Sequence, residues 1–225
     1  TKTEIGFVTM LASLIYGTGA LVGGPLGDKI GESKTIVISL AFSGLATFIM
    51  VAAGSMGNIY VYALALVLMA AWASLYHPTA NSLIFKTFKG KVSESMGLHG
   101  VGGTIGSVMT PTVAWFIGAA FGWSWAFVAF GALCTFLALL FIKTSGKTEV
   151  GNSSAGRILD AFKASQLWRL LALNVMIGLF MKAVELFLPT YLSENRMIDP
   201  MWSSIACTLV LAVGVPGQWI GGKAA

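Results

Sequence analysis

Charge is scarce in this sequence. Only 10% of its 225 residues are Asp, Glu, Lys or Arg, and nine of them are acidic. A soluble domain carries about 25% charged residues, so this chain cannot solvate a globular surface in water. Cysteine is scarcer still: Cys134 and Cys207 are the two, and both lie inside apolar runs. That excludes a disulfide framework. Two histidines, His77 and His99, leave no ligand spacing for a metal. The convergent His and acidic groups that a membrane-embedded hydrolase needs are lacking as well, so an enzyme is not expected. Gly100-Val101-Gly102 has neither the preceding strand nor the acidic partner of a dinucleotide site, and no cofactor is expected. No signal-peptide pattern and no initiator Met occur at the start, which leads to the expectation that Thr1 is not the natural first residue.

What is abundant is apolar sequence. Hydrophobic residues make up 56%, and the mean hydropathy is +0.81. A helix crosses a bilayer with about 20 apolar residues. Seven runs meet that length, near 5–26, 35–54, 59–85, 97–121, 123–142, 170–192 and 201–222. The expected fold is all-α and integral to the membrane, with the lipid bilayer as its first partner. The basic residues cluster in alternate loops: Lys29 and Lys34; Lys86, Lys89 and Lys91; then Lys143, Lys147, Arg157, Lys163 and Arg169. The opposite loops hold only Lys2 and Arg196. Basic loops mark the cytoplasmic side, so this excess reads as topology and not as a nucleic-acid surface. Thr1 is then outside and Ala225 inside. Trp123, Trp125 and Trp202 mark the outer interface, and Trp168 and Trp219 the inner one.

Between the first two runs lies Gly23-Gly24-Pro25-Leu26-Gly27-Asp28-Lys29-Ile30-Gly31-Glu32-Ser33-Lys34. It reads as a tight polar turn at one membrane face. Gly19, Gly23 and Gly27, with Gly31, recur every fourth residue, a spacing that lets a neighbouring backbone approach closely. Gly24, Asp28, Lys29, Gly31 and Lys34 fill the pattern G-x-x-x-D-(R/K)-x-G-x-x-(K/R). That pattern resembles the loop joining helices 2 and 3 of major facilitator superfamily transporters. The resemblance implies a cytoplasmic loop that helps latch two halves together.

Gly221-Gly222-Lys223 resembles the same pattern again, with Gly222 matching Gly24. An offset of about 200 residues suits parallel repeats of six helices. The resemblance therefore implies helices 2–8 of a twelve-helix fold, an incomplete transporter. Residues 1–142 form the rest of the first half, 143–169 a central cytoplasmic loop, and 170–225 the start of the second half. Within the loop, Ile158, Leu159 and Phe162 share a face opposite Asp160 and Lys163. This reads either as an interfacial helix at 157–166 or as a solvated one.

Polar side chains inside spans are the candidates for function. A Lys or Asp at a helix centre costs roughly 2.5–3.5 kcal/mol on insertion scales. The span at 170–192 carries Asn174, Lys182 and Glu185. Lys182 and Glu185 are three apart, share a face and can pair. Two readings stand: a self-neutralised pair, or a cavity-facing site in which Glu185 loads a proton or Lys182 attracts an anion. In the third span Tyr76, His77 and Asn81 cluster around Pro78, which leaves the Ser74 carbonyl without its N–H. A kink with a hydrogen-bonded His and a substrate or proton ligand are both open. Tyr76-His77-Pro78 is similar to the fosmidomycin-resistance-type branch of drug exporters. In the fourth span Gly102 and Gly106 form a G-x-x-x-G face. With Pro111 they resemble the antiporter motif of helix 5, with Thr110 where Gly is usual.

The resemblance implies alternating access by a carrier, monomeric when full length, in the plasma (inner) membrane. The expected activity is proton-coupled efflux of a drug-like or anionic small molecule. Proton-coupled uptake of an organic anion is the alternative, and a non-transporting scaffold a third reading.

Overall fold

The computed structural model describes residues 2–146, 163 and 165–224. Its helices are α1 (Lys2–Ile30), α2 (Glu32–Ser55), α3 (Ile59–Ala73), α4 (Tyr76–Thr87), α5 (Val92–Phe121) and α6 (Trp123–Thr144). They are followed by α7 (Ser165–Thr190), which runs into a π turn at Tyr191–Asn195, then α8 (Pro200–Ala212) and α9 (Gly214–Ala224). No strand forms among the described residues.

Seven candidate spans result among the described residues, because α3 with α4 and α8 with α9 each form one interrupted span. The number and order agree with the apolar runs. The helices are longer than those runs: α5 begins at Val92 and α7 at Ser165. Hydropathy sees only the stretch that needs lipid, whereas backbone hydrogen bonding continues through the polar ends. Most of the expected helix at 157–166 lies outside the described residues. Ser165 and Gln166 belong to α7.

Turn chemistry sets the helix ends. Asn58 caps α3, its Oδ1 accepting from the N–H groups of Tyr60 and Val61, each at 3.1 Å. Asp199 caps α8 at 2.8 Å from the Met201 N–H, and Pro200 takes the first helical position, where no N–H is missed. Gly31 separates α1 from α2 with φ of 96°, a conformation a side chain rarely adopts.

Two compact units emerge. One consists of α1–α4 with α6; the other of α5 with α7–α9. Within the second unit α5 makes a close glycine seam with α9, described below.

The first unit is packed with small residues. Ala46, Ala53, Ala65, Ser39, Ser74 and Thr79 are buried, while large apolar side chains such as Leu14, Leu21 and Phe136 face outward. This is the order expected in lipid, where burying Leu against a neighbour brings no hydrophobic gain. Gly44 of α2 meets Gly131 of α6: a Cβ on Gly44 would lie 2.8 Å from the Gly131 carbonyl oxygen. In the second unit a Cβ on Gly97 of α5 would lie 2.6 Å from the Gly222 Cα of α9. Thr112 and Thr208 join α5 to α8 through their hydroxyls at 2.7 Å.

Candidate functional site

The glycine stripe of α1 faces the interrupted span. A Cβ on Gly19 would collide with the Ser74 hydroxyl. One on Gly23 would lie 2.6 Å from Pro78 Cγ and 3.0 Å from Leu75 Cα, and one on Gly27 3.2 Å from Thr79 Cγ2. Gly24 has open space around it. The helix opens at Ser74–Leu75, between α3 and α4, one turn before Pro78. Side chains cover the carbonyls there. Ser39 Oγ donates to the Trp72 carbonyl oxygen at 2.8 Å. Thr79 Oγ1 reaches the Leu75 and Gly23 carbonyl oxygens at 2.6 and 3.2 Å. Backbone opened inside a span is tolerated when neighbours satisfy it in this way.

At the end of α1 the turn carries a buried charge. Glu32 is 1% exposed, and its Oε1 accepts from Lys86 Nζ and, at 3.1 Å, from Ser82 Oγ. Lys86 also lies 3.7 Å from Asp28 Oδ1. Glu32 Oε2 is buried with no hydrogen-bond partner among the described residues. Lys29 and Lys34 are exposed and Asp28 is half-buried. Sequence reasoning placed Lys86 only as a loop cation and gave Glu32 no role. The signal was faint: Glu32 follows Asp28 by four residues, but the lysine comes from a helix fifty-four residues away.

His77 and Asn81 lie one turn apart on α4, His77 exposed and Asn81 half-buried. The imidazole stands edge-on to two phenol rings. Tyr76 is 5.4 Å away at 74° and Tyr16, from α1, 6.3 Å away at 86°. The α1 residue was not legible in sequence.

In the second unit Lys182 Nζ donates to Glu185 Oε2 at 2.5 Å. The pair is open: the side chains are 73% and 32% exposed. Asn174, two turns before Lys182 on α7, is exposed. A Cβ on Gly102 or Gly106 would meet nothing within 4 Å, and Pro111 lies inside α5, half-buried. A cleft of about 410 Å³ at the start of α5, bounded by Lys91, Ser93, Glu94 and Lys223, contains none of the expected site residues. Among the described residues no cluster of His, Cys, Asp or Glu could hold a metal.

The polar groups within the spans thus include the Lys182–Glu185 pair and the rings of Tyr16, Tyr76 and His77. Lys182 lies near the middle of the span Ser165–Asn195, with Glu185 beside it. Comparison with known proteins supplies the family. The family model described as Major Facilitator Superfamily matches residues 1–225. The chain is 28% identical over 246 residues to the probable sulfoacetate transporter SauU of Cupriavidus necator, covering 99% of this chain and 56% of that protein. It is 26% identical over 139 residues to the putative glycerol-3-phosphate transporter 3 of Arabidopsis thaliana, covering 60% of this chain and 27% of that one. The chain thus spans about half, or less, of the length of the relatives it matches.

Proposed function

The chain belongs to the major facilitator superfamily, and on that premise we propose that it is part of a multi-pass, non-enzymatic carrier for a small organic anion. Transport is by alternating access between two six-helix halves. The first half extends to about residue 142 and the second begins near 170. The substrate class is an anion with a sulfonate, phosphate or carboxylate group. The observation that carries this is Lys182, a cation 73% exposed near the middle of a span. A lysine there, unless it serves an aqueous pathway, is a net cost to insertion. The names of both relatives, a sulfoacetate and a glycerol-3-phosphate transporter, support an anionic solute over a drug-like one.

Coupling to a proton runs through Glu185. With the ion pair closed, each partner neutralises the other. When the pair opens, substrate takes Lys182 and a proton takes Glu185, so each charge keeps a partner inside the span. The Asp28 turn and the Lys86–Lys91 loop lie on the cytoplasmic face of the plasma membrane, in line with their basic excess. The full-length protein acts as a monomer, with Asp28 latching the halves.

The test is uptake of labelled sulfoacetate by proteoliposomes holding the full-length protein, with and without an inward pH gradient. Gradient-stimulated uptake is expected. Glu185→Gln is expected to lose the stimulation yet keep substrate exchange. Uptake indifferent to the gradient removes the coupling, and no transport of any organic anion removes the substrate class.

A further inference from the structure

Helix α7 is covered mainly over its last third. Val184, Glu185 and residues 188–190 are half-buried where α7 packs against α8, whereas residues 168–183 are all exposed. Two polar side chains stand in the uncovered stretch, Asn174 and Lys182, with Gly178 midway between them. Steps of four residues turn a helix by only about 40°, so the three positions run along one side of α7. Asn174 and Lys182 are about 12 Å apart along the axis.

Asn174 lies inside the span Ser165–Asn195. Its amide is exposed and makes no hydrogen bond among the described residues. A bare amide is costly in hydrocarbon and is kept where it meets a cavity, a ligand or another helix. Gly178 favours a ligand. A Cβ there would meet nothing within 4 Å, so this glycine serves no close helix contact in its unit. It leaves a notch between the amide and the ammonium.

The two ends of the notch differ in chemistry. Lys182 offers a charged donor, and Asn174 offers two neutral N–H groups and one acceptor oxygen. With the ion pair closed, the ammonium is held toward Glu185, which lies beyond Lys182 from Asn174. With the pair open, the four-carbon stem of lysine can carry the charge back by about one helical turn, over Gly178. A solute lying there has its anionic head at one end and a second polar group within reach of the amide.

We infer that Asn174 is a specificity-determining residue: its amide N–H donates to a second oxygen-bearing group of the transported anion, while Lys182 holds the anionic head and Gly178 makes room for the carbon chain between them. This rests on the organic-anion reading above and narrows it, from any small organic anion to one with polar groups at both ends. All three residues belong to α7.

The probes are sulfoacetate, which carries a sulfonate and a carboxylate, and ethanesulfonate, in which a methyl group replaces the carboxylate. Binding of each is measured by titration calorimetry on the full-length protein, for wild type, Asn174→Leu, Gly178→Leu and Lys182→Met, with melting temperatures recorded. Wild type is expected to prefer sulfoacetate about tenfold. Asn174→Leu removes the amide at nearly constant volume. It is expected to weaken sulfoacetate about tenfold, the loss of one hydrogen bond to a charged group, and to leave ethanesulfonate unchanged, so that the preference disappears. Gly178→Leu fills the notch with Asn174 untouched, and is expected to weaken sulfoacetate at least about tenfold at an unchanged melting temperature. Equal affinity of wild type for the two probes overturns the inference. So does an unchanged preference in Asn174→Leu, even with a lowered melting temperature, because the amide then serves a helix contact. Sulfoacetate binding unimpaired in Gly178→Leu overturns it as well. Any of these results with Lys182→Met weakened for both probes leaves the organic-anion reading standing. Failure of wild type to bind either probe or any other small organic anion overturns that reading, and this inference with it.

Discussion

Two lysine–carboxylate pairs occupy opposite extremes of environment. In the first unit Lys86 meets Glu32, which is 1% exposed, with Asp28 3.7 Å from the same ammonium. In the second unit Lys182 meets Glu185 with 73% and 32% of their side chains exposed. The first joins the α1–α2 turn to the last turn of α4, and its carboxylate has nowhere to go. The second joins residues three apart on one helix, which would hold together without it. A buried pair that crosses elements fastens structure. An open pair on one helix adds little to folding. Chemically identical partners thus differ in burial and in whether they join separate elements.

The largest expected effect breaks the first pair. Lys86→Met leaves the Glu32 carboxylate buried with, among the described residues, Ser82 alone to donate to it. The cost is about 2 kcal/mol, below the usual 3–5 for a fully buried pair because Lys86 is 48% exposed. A lowered melting temperature of the full-length protein, partly restored by the second change Glu32→Gln, checks this. No shift in melting temperature would make Glu32 a spectator and erase the contrast.

The smaller effect concerns the stability of the second pair. Lys182→Met is expected to cost no more than about 0.5 kcal/mol, the worth of a helical ion pair three residues apart, so its melting temperature stays near wild type. Its cost appears instead in anion affinity, about tenfold weaker for the loss of one charge-assisted contact. A melting temperature lowered as far as in Lys86→Met, with affinity intact, would put both pairs in the structural class.

Much of the fold was legible in the residues. Seven apolar runs gave seven candidate spans because membrane thickness constrains length and composition together. Pro78 announced an interruption, since a proline nitrogen has no hydrogen to offer the carbonyl of Ser74. The Lys182–Glu185 pairing could be read because both residues lie on one helix. What could not be read crosses elements. Glu32 and Lys86 are far apart in sequence, and nothing local in either predicts the other. Tyr16 carries no motif of its own, and its place beside His77 depends on how closely two helices approach. The partners of the Gly19–Gly27 stripe were hidden for the same reason: periodicity shows that a face is smooth, not what lies against it. The seam of Gly97 with Gly222 went unread while Gly102 and Gly106 stood out, because spacing alone does not say which glycines are covered.

The most direct test of the proposed coupling is gradient-driven transport by the double variant Lys182→Met/Glu185→Leu in the full-length protein. Removing both charges relieves any cost of burying one alone, so expression should match wild type. If the open pair couples proton to substrate, the variant is well expressed and shows no transport in response to a pH gradient. Gradient-driven transport restored to the wild-type rate would contradict the account and reduce the pair to mutual neutralisation.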